Sequence, residues 1–436
     1  MIKTVFALSA AALATSAAWA QATPESVTVY GIVDAGVVHT TGLTTNKNHL
    51  VSGIMEGSRF GLRGSEDLGG GYRAIFTLEN RFEVNTGELS NRPPSGTQVP
   101  DRVLDARLVT PALCPAATPV NPATGLPVCA VQSAVSGVAA SLGSTLGVNL
   151  PGRFWDRQAY LGLVTPFGAI LLGRQYTPAY EVNATFDIMG TQSSLSAGQV
   201  AAIPASVDIR VSNALQYRVV FGGLTASAMY SFGDPGTVAT NSKANRFGGA
   251  MVMYKTGPFA AGIGYNRRNN DIGQKSLTSA VLGASVTIGP GTLSGLYGTI
   301  EDDNPSGVST IGGTPALVTA VGASGAALLQ QAFTGALRQD GVLMHLGYKL
   351  PMGANTLYVA YSAFNDKRSA NADVASYGMA YTYALSKRTD LNAVLTHFDN
   401  KNLAQAAPGQ AGFFGGMTRS AGTDSNSLAL GIRHRF

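Results

Sequence analysis

Taken two residues at a time, the chain from Tyr72 to Phe82 separates into two sets. Tyr72, Ala74, Phe76, Leu78, Asn80 and Phe82 share one parity, and Arg73, Ile75, Thr77, Glu79 and Arg81 share the other. A period of two is that of a β-strand with one apolar and one mostly polar face. The preceding stretch repeats it, with Phe60 and Leu62 on one face and Arg59, Gly61 and Arg63 on the other; residues 66–71 are expected as the turn between the two strands. About sixteen such segments follow one another, starting near Val27, Ser58, Tyr72, Arg153, Gly168 and Val211 and continuing to one near Ser427. Each is about 9–13 residues, enough for a tilted strand to cross a bilayer.

The connections alternate in length. Tight turns at residues 66–71, 165–168, 221–223, 256–258, 289–291, 351–353 and 386–388 are interleaved with long segments at 40–50, 85–152, 177–210, 233–244, 269–275, 302–338, 365–374 and 400–424. A soluble sandwich has no reason to sort its connections by side, whereas an outer-membrane barrel does. Hydrocarbon offers no partner to backbone N–H and C=O groups, so a sheet crosses it only by closing on itself. The expected fold is all-β: a 16-stranded antiparallel transmembrane β-barrel with short periplasmic turns and long extracellular loops.

Composition agrees. Charged residues make up 13% of the 436 residues, against about 25% in soluble domains. No run of about 20 apolar residues follows the N-terminus, which excludes a bundle of membrane-spanning helices. Residues 1–20 combine Lys3, an apolar core and Ala18-Trp19-Ala20, the plan of a secretory signal peptide, leaving residues 21–436 as the mature chain. Loss of Lys3 takes the formal charge from +5 to +4. The arginines are spread along the chain rather than clustered, so nucleic acid is not an expected partner. Cys114 and Cys129, with 14 residues between them, form a disulfide candidate that would staple the long segment 85–152 in an oxidising compartment. His39, His49, His345, His397 and His434 belong to no nucleophile or metal-binding motif, so neither catalysis, a metal nor a cofactor is expected.

The ordered stretches VTVYGIVDAGV, SRFGLRGSEDLGGGYRAIFTLENRF, RQAYLGLVTPFGAILLGRQYTP, SNALQYRV and the terminal GIRHRF resemble the trimeric general porins of Gram-negative outer membranes, the beta-proteobacterial type above all. The resemblance implies a sixteen-stranded barrel in the outer membrane, a homotrimer and contact with outer-membrane lipid and lipopolysaccharide. It also implies an inward-folded constriction loop at residues 177–210, and a role for Phe436 as the signal read by the barrel-assembly machinery. Two features depart from the family pattern: a Pro-Glu-Phe-Gly-Gly constriction motif is absent from 177–210, and segment 85–152 is much longer than expected. The implied activity is passive diffusion of ions and small hydrophilic solutes through a water-filled channel. A substrate-specific channel and a surface adhesin barrel are the alternatives.

An Arg or Lys facing lipid at mid-depth costs about 2–4 kcal/mol, so the charged parity is expected to face the pore. That reading puts Arg59, Arg63, Arg73 and Arg81 on the pore wall, joined by Arg157 and Arg174, with Glu181 and Asp187 as the facing acids on the constriction loop. Basic wall against acidic loop implies a field across the channel and a weak preference for anions.

Overall fold

The computed structural model describes residues 26–43, 47–89, 154–190, 193–200, 209–233, 241–309, 311–408 and 416–436. The expected leader, the cysteine pair and most of segment 85–152 lie outside these residues. The strands are β1 (Ser26–Thr41), β2 (Lys47–Ser52), β3 (Arg59–Gly69), β4 (Tyr72–Arg81), β5 (Gln158–Thr165), β6 (Gly168–Tyr176), β7 (Arg210–Phe221) and β8 (Leu224–Ser231). They continue with β9 (Phe247–Thr256), β10 (Phe259–Asn269), β11 (Lys275–Ile288), β12 (Gly291–Asp302), β13 (Gln339–Met352) and β14 (Asn355–Asp366). The last are β15 (Val374–Ala384), β16 (Thr389–Asn400), the short pair β17 (Ala406–Ala407) and β18 (Gly416–Met417), and β19 (Ser425–Arg435). Two helices, α1 (Pro178–Phe186) and α2 (Pro315–Leu337), lie in long connections.

From β3 to β16 each strand pairs antiparallel with the next, and β16 pairs with β19. Strand β1 closes the ring, taking β19 on one edge and β3 on the other, so that Ile32 stands between Arg435 and Arg59. Sixteen strands therefore form a closed antiparallel barrel with no free edge, which satisfies the ladder groups that hydrocarbon would leave unpaired. The seam is pinned by reciprocal backbone bonds, Gly31 N to Phe436 O and Phe436 N to Gly31 O, each 3.1 Å. The Phe436 ring covers Gly31, where a Cβ would lie only 2.3 Å from it.

Residues opposite one another across the ladders share a face. Ile263, Leu282, Tyr297 and Met344 are neighbours across four strands, and all are 46–56% exposed. A continuous apolar belt of this kind is a lipid-facing surface, not a water-facing one. The opposite parity, with Asn266, Ser279 and His345, is buried within the barrel.

The turns joining β3 to β4, β5 to β6, β7 to β8, β9 to β10, β11 to β12 and β13 to β14 hold two residues each, and the one joining β15 to β16 holds four. All lie at one end, together with the start of β1 and the end of β19; the long connections lie at the other. Three local expectations are corrected. Strand β3 runs on to Gly69 through a register shift at Asp67 instead of turning at Glu66. The fourth wall strand, β5, starts at Gln158 rather than Arg153. Segment 302–338, expected as an irregular loop, contains the charge-free helix α2, which kinks at Gly322 with φ 73°.

Segment 40–69 also differs from the expected loop and strand. Strand β2 pairs with the same edge of β1 as β3 does, above it. The second wall strand is thus one long strand interrupted by a six-residue excursion, residues 53–58. The carboxylate of Asp34, fully buried, holds the excursion. It accepts from Ile54 N at 3.0 Å and from Met55 N and Glu56 N at 2.8 Å each. Ser58 Oγ accepts from Asp34 N and donates to Asp34 O, both at 3.0 Å, fixing the far end.

Candidate functional site

The described part of the connection from β6 to β7, residues 177–190 and 193–200, does not rise from the barrel; it lies against the inner wall. Helix α1 starts at Pro178, where a missing N–H costs nothing. Its first turn is held by the inward Asn266 of β10, which accepts from Ala179 N at 3.1 Å and donates to Thr177 Oγ1 at 2.9 Å. The underside of α1 rests on glycines. A Cβ on Gly264 would sit 2.7 Å from Ala179 Cα, and one on Gly283 would sit 2.2 Å from the Phe186 ring. Beyond the helix the chain crosses β12, β13 and β16 in turn. Ser294 Oγ donates to Phe186 O at 2.6 Å, Ile188 N donates to His345 Nε2 at 3.2 Å, and Ser194 and Thr396 hydroxyls meet at 2.6 Å. Half of the inner wall, from β10 to β16, is thereby covered by the loop.

The other half carries charge. Around β3, β4, β5 and β7, Glu79 is the acceptor for Arg157 Nε at 2.6 Å and for Tyr30 OH at 3.1 Å. Tyr176 OH takes one bond from Arg157 Nη2 (2.9 Å) and one from Arg210 Nη2 (3.0 Å), and the Arg210 guanidinium lies 4.5 Å from the centre of the Tyr176 ring. Arg63 stacks on Tyr30 at 5.2 Å. Arg218 of β7 reaches Glu181 of α1 at 2.6 Å, tying the loop to the charged wall.

A second group surrounds the excursion. Arg433 donates to Asp390 from Nε and Nη2, both at 3.1 Å, and to Glu56 from Nη1 at 2.9 Å. Arg435 reaches the same two acids at 2.8 and 3.2 Å. Arg59 lies 3.5 Å from Glu56, and its Nε donates to Gly57 O at 3.0 Å. Lys349, stacked 5.5 Å from the Tyr358 ring, stands beside the Arg433–Arg435 pair.

The sequence-derived residues divide accordingly. Arg59, Arg63, Arg157 and Glu181 lie in this inner charged region. Arg73 faces inward but sits opposite Asp67 near the short-turn end, about 26 Å along the strand from Arg81. Arg81 is fully buried, its Nε on Glu83 at 2.6 Å and its backbone N on Asp156, and so does not line water. Arg174 shares parity with the exposed Ile170 and Leu172, and its guanidinium bonds to Asp156 O and Ser212 Oγ, apart from the cluster. The register with β7 shifts just beyond Gly173, where β7 carries one extra residue at the positive-φ Asn213 (φ 52°). Asp187 is buried on the covered half; it accepts from Met189 N and Ala197 N at 2.9 and 3.0 Å and lies 3.7 Å from His345. It shapes the loop instead of facing the arginines. Sequence reasoning missed Glu56, Asp390, Arg210 and Arg218. Arg218 and Asp390 had a usable signal, since each holds the inward parity of its strand.

Between a covered wall and a charged wall, the arrangement can order water and orient small polar solutes by their charge. Among the described residues there is no group of three or more metal-binding side chains.

A family model described as Gram-negative porin matches residues 7–403. Outer membrane porin protein 32 of Delftia acidovorans is 24% identical over the full length of both chains. An outer membrane porin protein of Bordetella pertussis is 25% identical over 98% of this chain and 99% of its own. Among solved structures, an anion-selective porin from Comamonas acidovorans superposes with a TM-score of 0.65 at 23% identity, covering 94% of this chain and all of that one. OmpT of Vibrio cholerae gives 0.55 at 13% identity, covering 95% of this chain and all of that one. The closed sixteen-stranded ring, the apolar outer belt and the family match lead to one conclusion: the chain belongs to the Gram-negative porins, non-enzymatic barrels of the outer membrane through which small solutes diffuse passively.

Proposed function

We propose that the channel narrows between the loop carrying α1 and the wall bearing Arg59, Arg63, Arg157, Arg210 and Arg218, and that it prefers anions weakly. The observation that carries this reading is the imbalance around Glu79. That one carboxylate faces Arg157 in direct contact, with Arg59 and Arg210 within its electrostatic reach. The uncompensated guanidinium charge raises the local concentration of anions along the path. The relative from Comamonas acidovorans named as anion-selective supports the same direction.

The test is the reversal potential of the reconstituted protein in a potassium chloride gradient. Anion preference is expected, falling on substitution of Arg59, Arg63 and Arg210 together by Ser, while Arg174→Ser leaves it unchanged. A cation-preferring wild type, or a triple variant that behaves like it, overturns the reading. The assembled form is a homotrimer on this proposal, as in the trimer form of OmpT of Vibrio cholerae. Mass in mild detergent, three times that of the denatured chain, is the expected result. Lipopolysaccharide contact at the long-loop end and recognition of Phe436 by the barrel-assembly machinery complete the proposal.

A further inference from the structure

We infer that the excursion at residues 53–58 is a selectivity device: Asp34 positions Glu56 in the lumen, where Glu56 neutralises Arg433, Arg435 and Arg59 and so limits the channel's preference for anions. The inference deepens the reading of a basic pore wall and rests on it.

The geometry is specific. A wall strand that ran on without interruption would place residues 53–58 in the ladder with β1. Instead, three successive backbone N–H groups turn onto the buried Asp34 carboxylate at 2.8–3.0 Å. A carboxylate is acceptor-only, with room for several donors at once, and suits such a nest of amides. The third of those amides belongs to Glu56. Its side chain, still 20% exposed, is carried to the terminal strand, more than 370 residues away in sequence, and reaches Arg433 at 2.9 Å and Arg435 at 3.2 Å. Arg433 and Arg435 have the inward parity of β19, opposite to the exposed Leu430 and Ile432. Four cations, Arg59, Lys349, Arg433 and Arg435, stand here around the carboxylates Glu56 and Asp390, with the buried Asp34 carboxylate also in electrostatic reach of Arg433. Asp390 is part of its own wall strand, whereas Glu56 arrives only through the excursion. Loss of the Glu56 charge leaves Asp390 as the one carboxylate in direct contact with these cations.

One unit charge acting through water at about 6 Å changes local anion concentration about threefold. The experiment compares chloride-to-potassium permeability ratios, from reversal potentials at low and high salt, for wild type, Glu56→Gln, Asp34→Asn and the double variant. Glu301→Gln, at the end of β12, is the control. Glu56→Gln keeps the shape and removes the charge. It is expected to raise the ratio about threefold at low salt, with the gain fading near 1 M salt as screening shortens to about 3 Å. Asp34→Asn turns one acceptor oxygen into a donor facing amides and removes a charge in reach of Arg433, so it releases the excursion and produces at least the same rise. The double variant then equals Asp34→Asn alone, because Glu56 has already left the arginines, and Glu301→Gln changes nothing. Should Asp34→Asn fail to fold, Ser58→Ala loosens the other end of the excursion and takes its place. A folded Glu56→Gln channel with the wild-type ratio overturns the inference, as does a folded Asp34→Asn channel with that ratio. The wild-type ratio separately tests the basic-wall reading, so the two failures are distinguishable.

Discussion

Helix α1 approaches the inner wall closely because Gly264 and Gly283 put no side chain beneath its two ends, and that can be tested one methyl group at a time. An added Cβ on Gly264 meets Ala179 Cα at 2.7 Å and Pro178 O at 3.0 Å, both backbone atoms of the helix start. On Gly283 it meets the Phe186 ring at 2.2 Å and Phe186 Cβ at 2.7 Å. The ring could rotate away, but its Cβ is fixed to the helix. Ordinary carbon contacts lie near 3.5 Å, so the helix must retreat from the wall by about 0.8 Å at either end. Overpacking of this kind costs about 1–3 kcal/mol. Gly264→Ala and Gly283→Ala each should lower stability by about that amount and lower single-channel conductance, because the only direction of retreat is into the lumen. The two strains act on one short rigid helix, so the double variant should be destabilised by less than the sum of the singles. Denaturant unfolding in detergent and planar-bilayer conductance are the assays. Unchanged conductance in both single variants, with strictly additive unfolding energies, would refute the contact between α1 and the wall.

Three other outcomes follow from the same geometry. Glu79→Gln strips Arg157 of its carboxylate while Arg157 stays buried, and should cost about 3–5 kcal/mol in unfolding free energy. Leu282→Arg, on the lipid-facing belt, should cost about 2–4 kcal/mol, whereas Thr28→Arg, of inward parity and exposed to the lumen, should be close to neutral by the same unfolding assay. His345→Ala removes the acceptor for Ile188 N and the Ser362 contact; an orphaned buried amide costs about 1–3 kcal/mol, and protease cleavage within residues 187–200 should become faster.

The barrel was legible because its constraint is local and repeated. Period-two alternation sets the face of every side chain, and the alternation of short and long connections sets the direction of every strand; both are written in consecutive residues. Arg59, Arg63 and Arg157 were found by that route. Failures occur where the period breaks. Arg174 is an exception, for it keeps the outer parity of Ile170 and Leu172 that counting by twos already assigns it. At residues 53–58 a strand leaves the ladder because Asp34, twenty residues earlier, offers its backbone a better acceptor. Asp187 was read as a pore-facing acid because nothing in its neighbourhood shows that Ala197 N and Met189 N would turn toward it.

The inner parity nevertheless holds more information than the count of its charges. From β10 to β16 the inward positions include Gly264, Gly283, Ser294, Gly347, Gly378 and Thr396; from the start of β16, at the short-turn end, through β19, β1, β3 and β4 they become Asp390, Arg433, Asp34, Arg59 and Glu79. The division follows from desolvation. A charge beneath the loop would lose its water without gaining a partner, at a cost of several kcal/mol, so under the loop itself the wall offers small and hydroxyl side chains that the loop backbone can touch or bond, together with apolar ones such as Val281, Leu296 and Leu343 that pack in the same core. His345 is compatible with that half because Ile188 N and Ser362 satisfy its ring. The uncovered half stays wet, and there charges are stable in pairs and can act on passing ions. Where glycine and serine replace charge along the inward parity, the wall is covered, and where the charge resumes, the channel runs.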